Sequence, residues 1–192
     1  KERNLKLIRP YDDPLVIAGQ GTCGLEIASQ TKKLGMTEAE VLVCCGGGGL
    51  SAGIAIALEE YAPSFSISTC EPKFFDDTAR SLKSGIREIN TLSKNSICDA
   101  ILTPMPGELT FPILQKLAGQ GLVANDEEVL TAMKFLYENF KLVAEPGGAI
   151  ALAVALFRNK SLKKENIIVV VSGGNVDSEM FTRALSSKSF SK

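Results

Sequence analysis

The chain has 192 residues, 45% of them apolar and 22% charged, with a net charge of −1, a balance that suits one globular domain with a sizeable core and argues against a disordered tail, a nucleic-acid surface or a membrane-binding patch. The expected ligand is therefore small, and the absence of histidine excludes a Ser-His-Asp triad, a Cys-His pair, a histidine metal site and a histidine base within these residues. Five cysteines without CxxC spacing, and no stretch of transmembrane length, read as buried free thiols of a cytoplasmic protein in a reducing compartment.

Residues 1–9 are charged, lack the apolar core of a signal peptide and run without an initiator methionine into the apolar stretch 15–18, so the start reads as a cut. Residues 41–45 (VLVCC) are a short apolar run bounded by glycine, the pattern of a strand buried on both faces of a parallel sheet. Gly46, Gly47, Gly48 and Gly49 follow, and Leu50 opens a helix predicted over 50–61. A weaker strand is predicted over 66–70 and a helix over 74–83. Residues 84–106, poor in apolar period, read as a long surface loop beside the site. A helix over 126–140 is opened by Asn125, Asp126, Glu127 and Glu128, which can cap it and complement its dipole, and another is predicted over 149–157. The basic stretch 160–164 reads as a solvated loop before a second buried strand, 167–171 (IIVVV). This alternation predicts an α/β fold: an open, mostly parallel sheet with helices on both faces, its ligands collecting beyond the carboxyl ends of the strands.

Four glycines between a buried strand and a helix leave backbone N–H groups uncovered at a helix N-terminus, which is an anion site suited to a phosphate. A dinucleotide fold competes for the same residues. Residues 47–52 satisfy G-x-G-x-x-A, and Glu71 ends the next strand about where a ribose-binding acid would stand. Local spacing leaves both open.

Further segments bear on the choice: Pro10-Tyr11-Asp12-Asp13-Pro14 with Ala18-Gly19-Gln20-Gly21-Thr22, then Glu71-Pro72, residues 106–112 (PGELTFP), residues 145–149 (EPGGA) and residues 172–177 (SGGNVD). With the glycine loop, and in this order, they resemble the threonine/serine dehydratase family of fold-type II pyridoxal-phosphate enzymes over essentially the whole chain, a family whose relatives include serine racemases and hydroxyaspartate dehydratases. The resemblance implies pyridoxal 5'-phosphate as cofactor, its phosphate held by the amides of Gly46, Gly47, Gly48, Gly49 and Leu50. It places the Ser172 hydroxyl against the pyridine nitrogen, at the end of the most apolar strand, where a hydroxyl without a partner would be costly. Such a hydroxyl, unlike a carboxylate, would not hold that nitrogen protonated, which suits β-elimination. Glu145 is implied near the cofactor ring and Tyr11 as a cofactor contact, while Gln20 and Thr22 are expected to organise a helix start at a domain interface. Glu71, the Phe75 carbonyl and Asp77 match positions that hold a divalent cation (Mg, Ca or Mn) in related enzymes; the alternative is that Asp76 and Asp77 merely cap a helix.

The implied reaction is dehydration and deamination of a β-hydroxy amino acid, threonine or serine, to a 2-oxo acid and ammonia. The family's cofactor-binding lysine lies in a Ser-x-Lys-x-Arg-Gly-Ala motif that these residues lack. The resemblance thus implies the C-terminal part of a catalytic domain, mainly its large cofactor-binding domain, with residues 1–15 leaving the small domain, no C-terminal regulatory domain and no catalytic residue in the isolated chain. The complete enzyme is expected to be a homo-oligomer, dimer or tetramer. A nicotinamide-dependent oxidoreductase and a catalytically inactive phosphate- or partner-binding domain stand as the readings from other classes.

Overall fold

The computed structural model describes residues 7–91 and 94–190. Four strands, β1 (Glu40–Cys44), β2 (Ser66–Pro72), β3 (Ala118–Ala124) and β4 (Ile167–Val169), form one sheet in the order β3-β2-β1-β4. Every pairing is parallel, with Glu40 opposite Ser66 on one side and Ile167 on the other. Among the described residues, seven α-helices connect and cover the strands: α1 (Pro14–Lys33), α2 (Gly49–Tyr61), α3 (Asp77–Ser84), α4 (Thr110–Leu117), α5 (Asp126–Phe140), α6 (Pro146–Phe157) and α7 (Ser178–Leu185).

Strand alternation sorts the core into two layers. Val41 and Val43 pack with Ala28 of α1 and Ile54, Ala55 and Leu58 of α2. Leu42 and Cys44 face the other way, into Val129, Leu130 and Met133 of α5 and Ile150 and Val154 of α6. All five residues of β1 are buried, as a central strand with helices on both faces requires. Helix α5 begins with the anticipated cap: Asn125 and Glu128 exchange side-chain-to-backbone bonds of 3.0 and 2.8 Å.

Several boundaries differ from the sequence reading. Helix α1 begins at Pro14, not near Gln20, because the Asp13 carboxylate accepts from the amides of Leu15 (2.8 Å) and Val16 (3.4 Å); Thr22 lies in mid-helix, its hydroxyl donating to the Gly19 carbonyl at 2.7 Å. The glycines of α1 serve a helix seam: a Cβ on Gly24 would sit 2.8 Å from the Ala57 Cβ and 2.9 Å from the Ile54 carbonyl oxygen. Helix α3 starts at Asp77 and not at residue 74, since Phe74 has φ 75°, outside the helical region. Helix α6 opens earlier, at Pro146, whose fixed φ suits a first helical position. The strand expected over 167–171 pairs only over Ile167–Val169, followed by one more bond from the Val170 amide to the Leu42 carbonyl, 3.0 Å.

Candidate functional site

The glycine loop lies at the carboxyl end of β1. Gly48, the residue before α2, has φ 92°, and a Cβ on it would lie 2.9 Å from the Thr110 Oγ1 and 3.0 Å from the Thr110 Cβ, so backbone conformation and space both demand glycine. A Cβ on Gly47 would overlap the Tyr11 ring, one on Gly49 would be 3.0 Å from the Tyr11 Cα, and one on Gly46 3.1 Å from the Ile101 Cα. The carbonyl side of the loop is braced. Thr110 Oγ1 donates to the Gly47 oxygen at 2.5 Å, the Gly107 amide donates to the same oxygen at 3.2 Å, and Ser51 Oγ donates to the Cys44 oxygen at 2.9 Å.

The amide side is different. Among the described residues no protein acceptor takes the N–H of Gly46, Gly47, Gly48, Gly49 or Leu50, although Gly47, Gly48 and Gly49 are buried. Each buried amide without an acceptor costs about 1–3 kcal/mol, and here they gather at the positive end of a helix. Such a cradle fits an anion the size of a phosphate.

Two further elements end beside this loop. The turn after β4 carries Ser172, whose Oγ lies 3.2 Å from the Cys44 Sγ. Ser172 is exposed, which corrects the expectation of a hydroxyl enclosed by an apolar strand: β4 is an edge strand, all three residues only half-buried. Glu145 precedes α6 and holds that turn from both ends. Its amide donates to the Gly173 oxygen at 3.1 Å and its carboxylate accepts from the Asn175 amide at 2.9 Å. A Cβ on Gly148 would lie 2.5 Å from the Gly173 oxygen, so α6 reaches the turn only because residue 148 is glycine. Tyr11, expected as a cofactor contact, lies against the glycine loop itself. It is placed by Asp12, whose carboxylate accepts from the amides of Glu108 (3.1 Å) and Leu109 (2.8 Å).

Glu71 is fully buried at the end of β2, and its two oxygens accept from the amides of Thr78 (2.8 Å) and Ala79 (2.7 Å). It therefore caps α3 from the sheet, and no accessible edge remains for a ribose hydroxyl. The dinucleotide reading fails on this point. Asp76 makes no cap and pairs with Arg80 at 3.2 Å. Asp77 Oδ1 accepts from Asn90, whereas its Oδ2 is buried without a partner. Burial first, and then the neighbouring Asp77, pushes the Glu71 carboxyl well above the carboxylate range; burial pushes Asp77 up to about 6. Among the described residues no group of three or more His, Cys, Asp or Glu side chains could hold a metal, and Phe75 could bring only a main-chain oxygen.

Cys44, Asp12, Thr110 and Asn175 were not singled out individually in the sequence. Thr110, Asp12 and Asn175 carried a signal as members of the motifs at 106–112, 10–14 and 172–177, and Cys44 only as part of the apolar run 41–45.

A parallel α/β sheet ending on a cradle of buried, unpaired amides defines a phosphate-binding class of protein. Within that class, the chain belongs to the pyridoxal-phosphate dependent enzymes, the family whose profile matches residues 1–173. It is 36% identical over 188 residues to a serine racemase of Dictyostelium discoideum, covering 96% of this chain and 56% of that protein. To an L-threonine ammonia-lyase of Thermotoga maritima it is 35% identical over 179 residues, covering 93% and 43%. Among solved structures, a threonine deaminase from T.th. superposes with a TM-score of 0.87 at 39% identity, over 92% of this chain and 59% of that one. The chain thus spans about half the length of the curated relatives it matches.

Proposed function

We propose that these residues are the cofactor-holding part of a pyridoxal-phosphate-dependent ammonia-lyase that removes water and ammonia from a small β-hydroxy amino acid, threonine or serine. The observation that carries this reading is the run of amides from Gly46 to Leu50 without protein acceptors among the described residues, with Gly47, Gly48 and Gly49 buried. The amides of Gly46, Gly47, Gly48, Gly49 and Leu50 would hold the phosphate, Ser172 would meet the pyridine nitrogen, Tyr11 would lie against the cofactor, and Glu145 would fix the turn that presents Ser172. When bound, the cofactor supplies the electron sink that lets a Cα proton and a β-hydroxyl depart. The names of the relatives, a threonine ammonia-lyase, serine racemases and an L-threo-3-hydroxyaspartate ammonia-lyase, support small amino acids as the substrate class.

The half-buried edge strand β4 supports placing residues 1–192 as the C-terminal part of a catalytic domain; of the proposed small-domain exit at residues 1–15, residues 1–6 lie outside those described. Free thiols at all five cysteines support a cytoplasmic setting, and no helix among the described residues is long and apolar enough to cross a membrane. Exposed Leu15, Leu25, Ile56 and Tyr61 on α1 and α2 support a homo-oligomer.

The test is ammonia release from threonine and serine by the full-length protein, together with pyridoxal-phosphate binding followed by absorbance. Binding that survives Gly48→Val unchanged, or the absence of binding, overturns the reading. A divalent cation held by Glu71, the Phe75 carbonyl and Asp77 is a second reading, favoured by the unpartnered Asp77 Oδ2. Magnesium or calcium should then raise the melting temperature, and the shift should vanish in Asp77→Asn; no shift with either ion ends it.

A further inference from the structure

The contact between Cys44 and Ser172 is unused by the reading above. Ser172 Oγ makes one hydrogen bond among the described residues, to the Cys44 Sγ at 3.2 Å. The thiol projects from the last residue of the central strand and is 7% exposed, so its position is fixed by the core layer that packs around it. An exposed serine on the turn after an edge strand has no such support of its own. A thiol is a weak donor and a weak acceptor, and a serine hydroxyl has one proton to give. If the thiol donates to Oγ, the serine proton is left to point outward, at an acceptor such as an unprotonated ring nitrogen.

Resting on the placement of Ser172 proposed above, we infer that Cys44 is a positioning residue: its S–H donates to Ser172 Oγ and thereby aims the serine O–H at the cofactor's ring nitrogen. Burial pushes the Cys44 thiol up, and the Glu145 carboxylate does so to a lesser degree, so the proton stays on sulfur at neutral pH. Glu145 acts on the same turn from the other side through the Asn175 amide. Cys44 fixes the hydroxyl and Glu145 fixes the backbone that carries it.

The experiment uses the full-length protein reconstituted with pyridoxal phosphate isotopically labelled at the ring nitrogen, whose resonance is read by NMR, with thermal denaturation to check folding. Ser172→Ala should displace the resonance. Cys44→Val, close in size but without a donor, should displace it in the same direction and weaken cofactor affinity roughly twofold to tenfold, the loss expected of one hydrogen bond. Cys44→Ser should restore both. A resonance unmoved by Cys44→Val but moved by Ser172→Ala overturns the inference, as does an equal displacement by Cys44→Val and Cys44→Ser, which would mark packing alone. A resonance unmoved by Ser172→Ala brings down the placement of Ser172 and the inference with it. If Cys44→Val does not fold, Cys44→Ala is compared with Cys44→Ser by the same criterion.

Discussion

The two ends of the sheet contrast in how they treat polar groups. At the amino end of β1, Glu40 is 1% exposed, yet its carboxylate accepts from Ser68 Oγ (2.6 Å), Gln120 Nε2 (3.1 Å) and the Lys163 amide (2.6 Å). That end is closed: one carboxylate ties β1, β2, β3 and the loop before β4 together. At the carboxyl end, five consecutive amides meet no protein acceptor among the described residues, and Asp77 keeps a buried oxygen without a donor. Saturated polar groups hold the fold, and unsaturated ones mark where it expects a ligand. The same sheet does both because strand direction separates its two rims.

The contrast can be broken most severely at the closed end. Glu40→Ala removes the acceptor of three donors, of which Ser68 Oγ is buried while Gln120 is half-buried and Lys163 exposed, and should cost up to about 3 kcal/mol of unfolding free energy, at roughly 1 kcal/mol per lost partner. Urea denaturation measures this, and phosphate or cofactor affinity should be unaffected. A variant that weakens binding as much as stability would show that the two rims are coupled.

At the open end the expected order reverses. Gly48→Val forces a branched side chain into φ 92° and against Thr110, at a cost of roughly 2 kcal/mol in stability. Cofactor affinity should fall by more than about tenfold, since that same strain displaces the amides that define the cradle. Equilibrium dialysis against pyridoxal phosphate measures it; an unaltered affinity would make the loop purely structural.

A pH-dependent effect sharpens the comparison further. Asp77 in the folded protein titrates at about 6, above the value near 3.9 of an unfolded aspartate. Folding therefore favours its protonated form. The stability it contributes is fully present below about pH 4 and is lost as the pH rises through 6, by at most about 3 kcal/mol. Asp77→Asn should flatten this part of the stability profile in urea melts between those values. An unchanged slope would mean that the orphan oxygen finds a partner in solution.

The sequence disclosed regular elements better than their burial: 167–171 reads as a buried strand, yet β4 pairs only over Ile167–Val169 and is half-buried. Residues 41–45 and 167–171 read as strands because β-branched residues fill both faces, and α5 read cleanly because Asn125 and Glu128 form its cap. Strand β3 was illegible because its sequence, AGQGLVA, has two glycines and little β-propensity; Gly121 is there because a Cβ would collide with Ala79 of α3. Helix α1 was legible only as a start expected at Gln20 and Thr22, well inside the helix that runs from Pro14; its glycines serve contact with α2. In the site, the glycine loop and its neighbouring motifs were legible as chemistry. The roles of Glu71 as a cap and Cys44 as the partner of Ser172 were not, since each depends on a contact between residues that only the fold brings together.

The topology of the sheet also bears on how the chain reaches this state. The central strand β1 pairs with β4 through Glu40–Ile167 and Leu42–Val169, a contact that cannot form until nearly the whole intervening chain has been made and arranged. Parallel pairings of such long separation are slow to close, and until β4 docks, one side of β1 presents unpaired backbone to other chains. Completion of the site is thereby tied to a late event, since Ser172 follows β4 while the glycine loop follows β1. Refolding should show the burial of α2 preceding cofactor binding, with losses to aggregation that grow with protein concentration; simultaneous recovery of both signals at all concentrations would place β4 early instead.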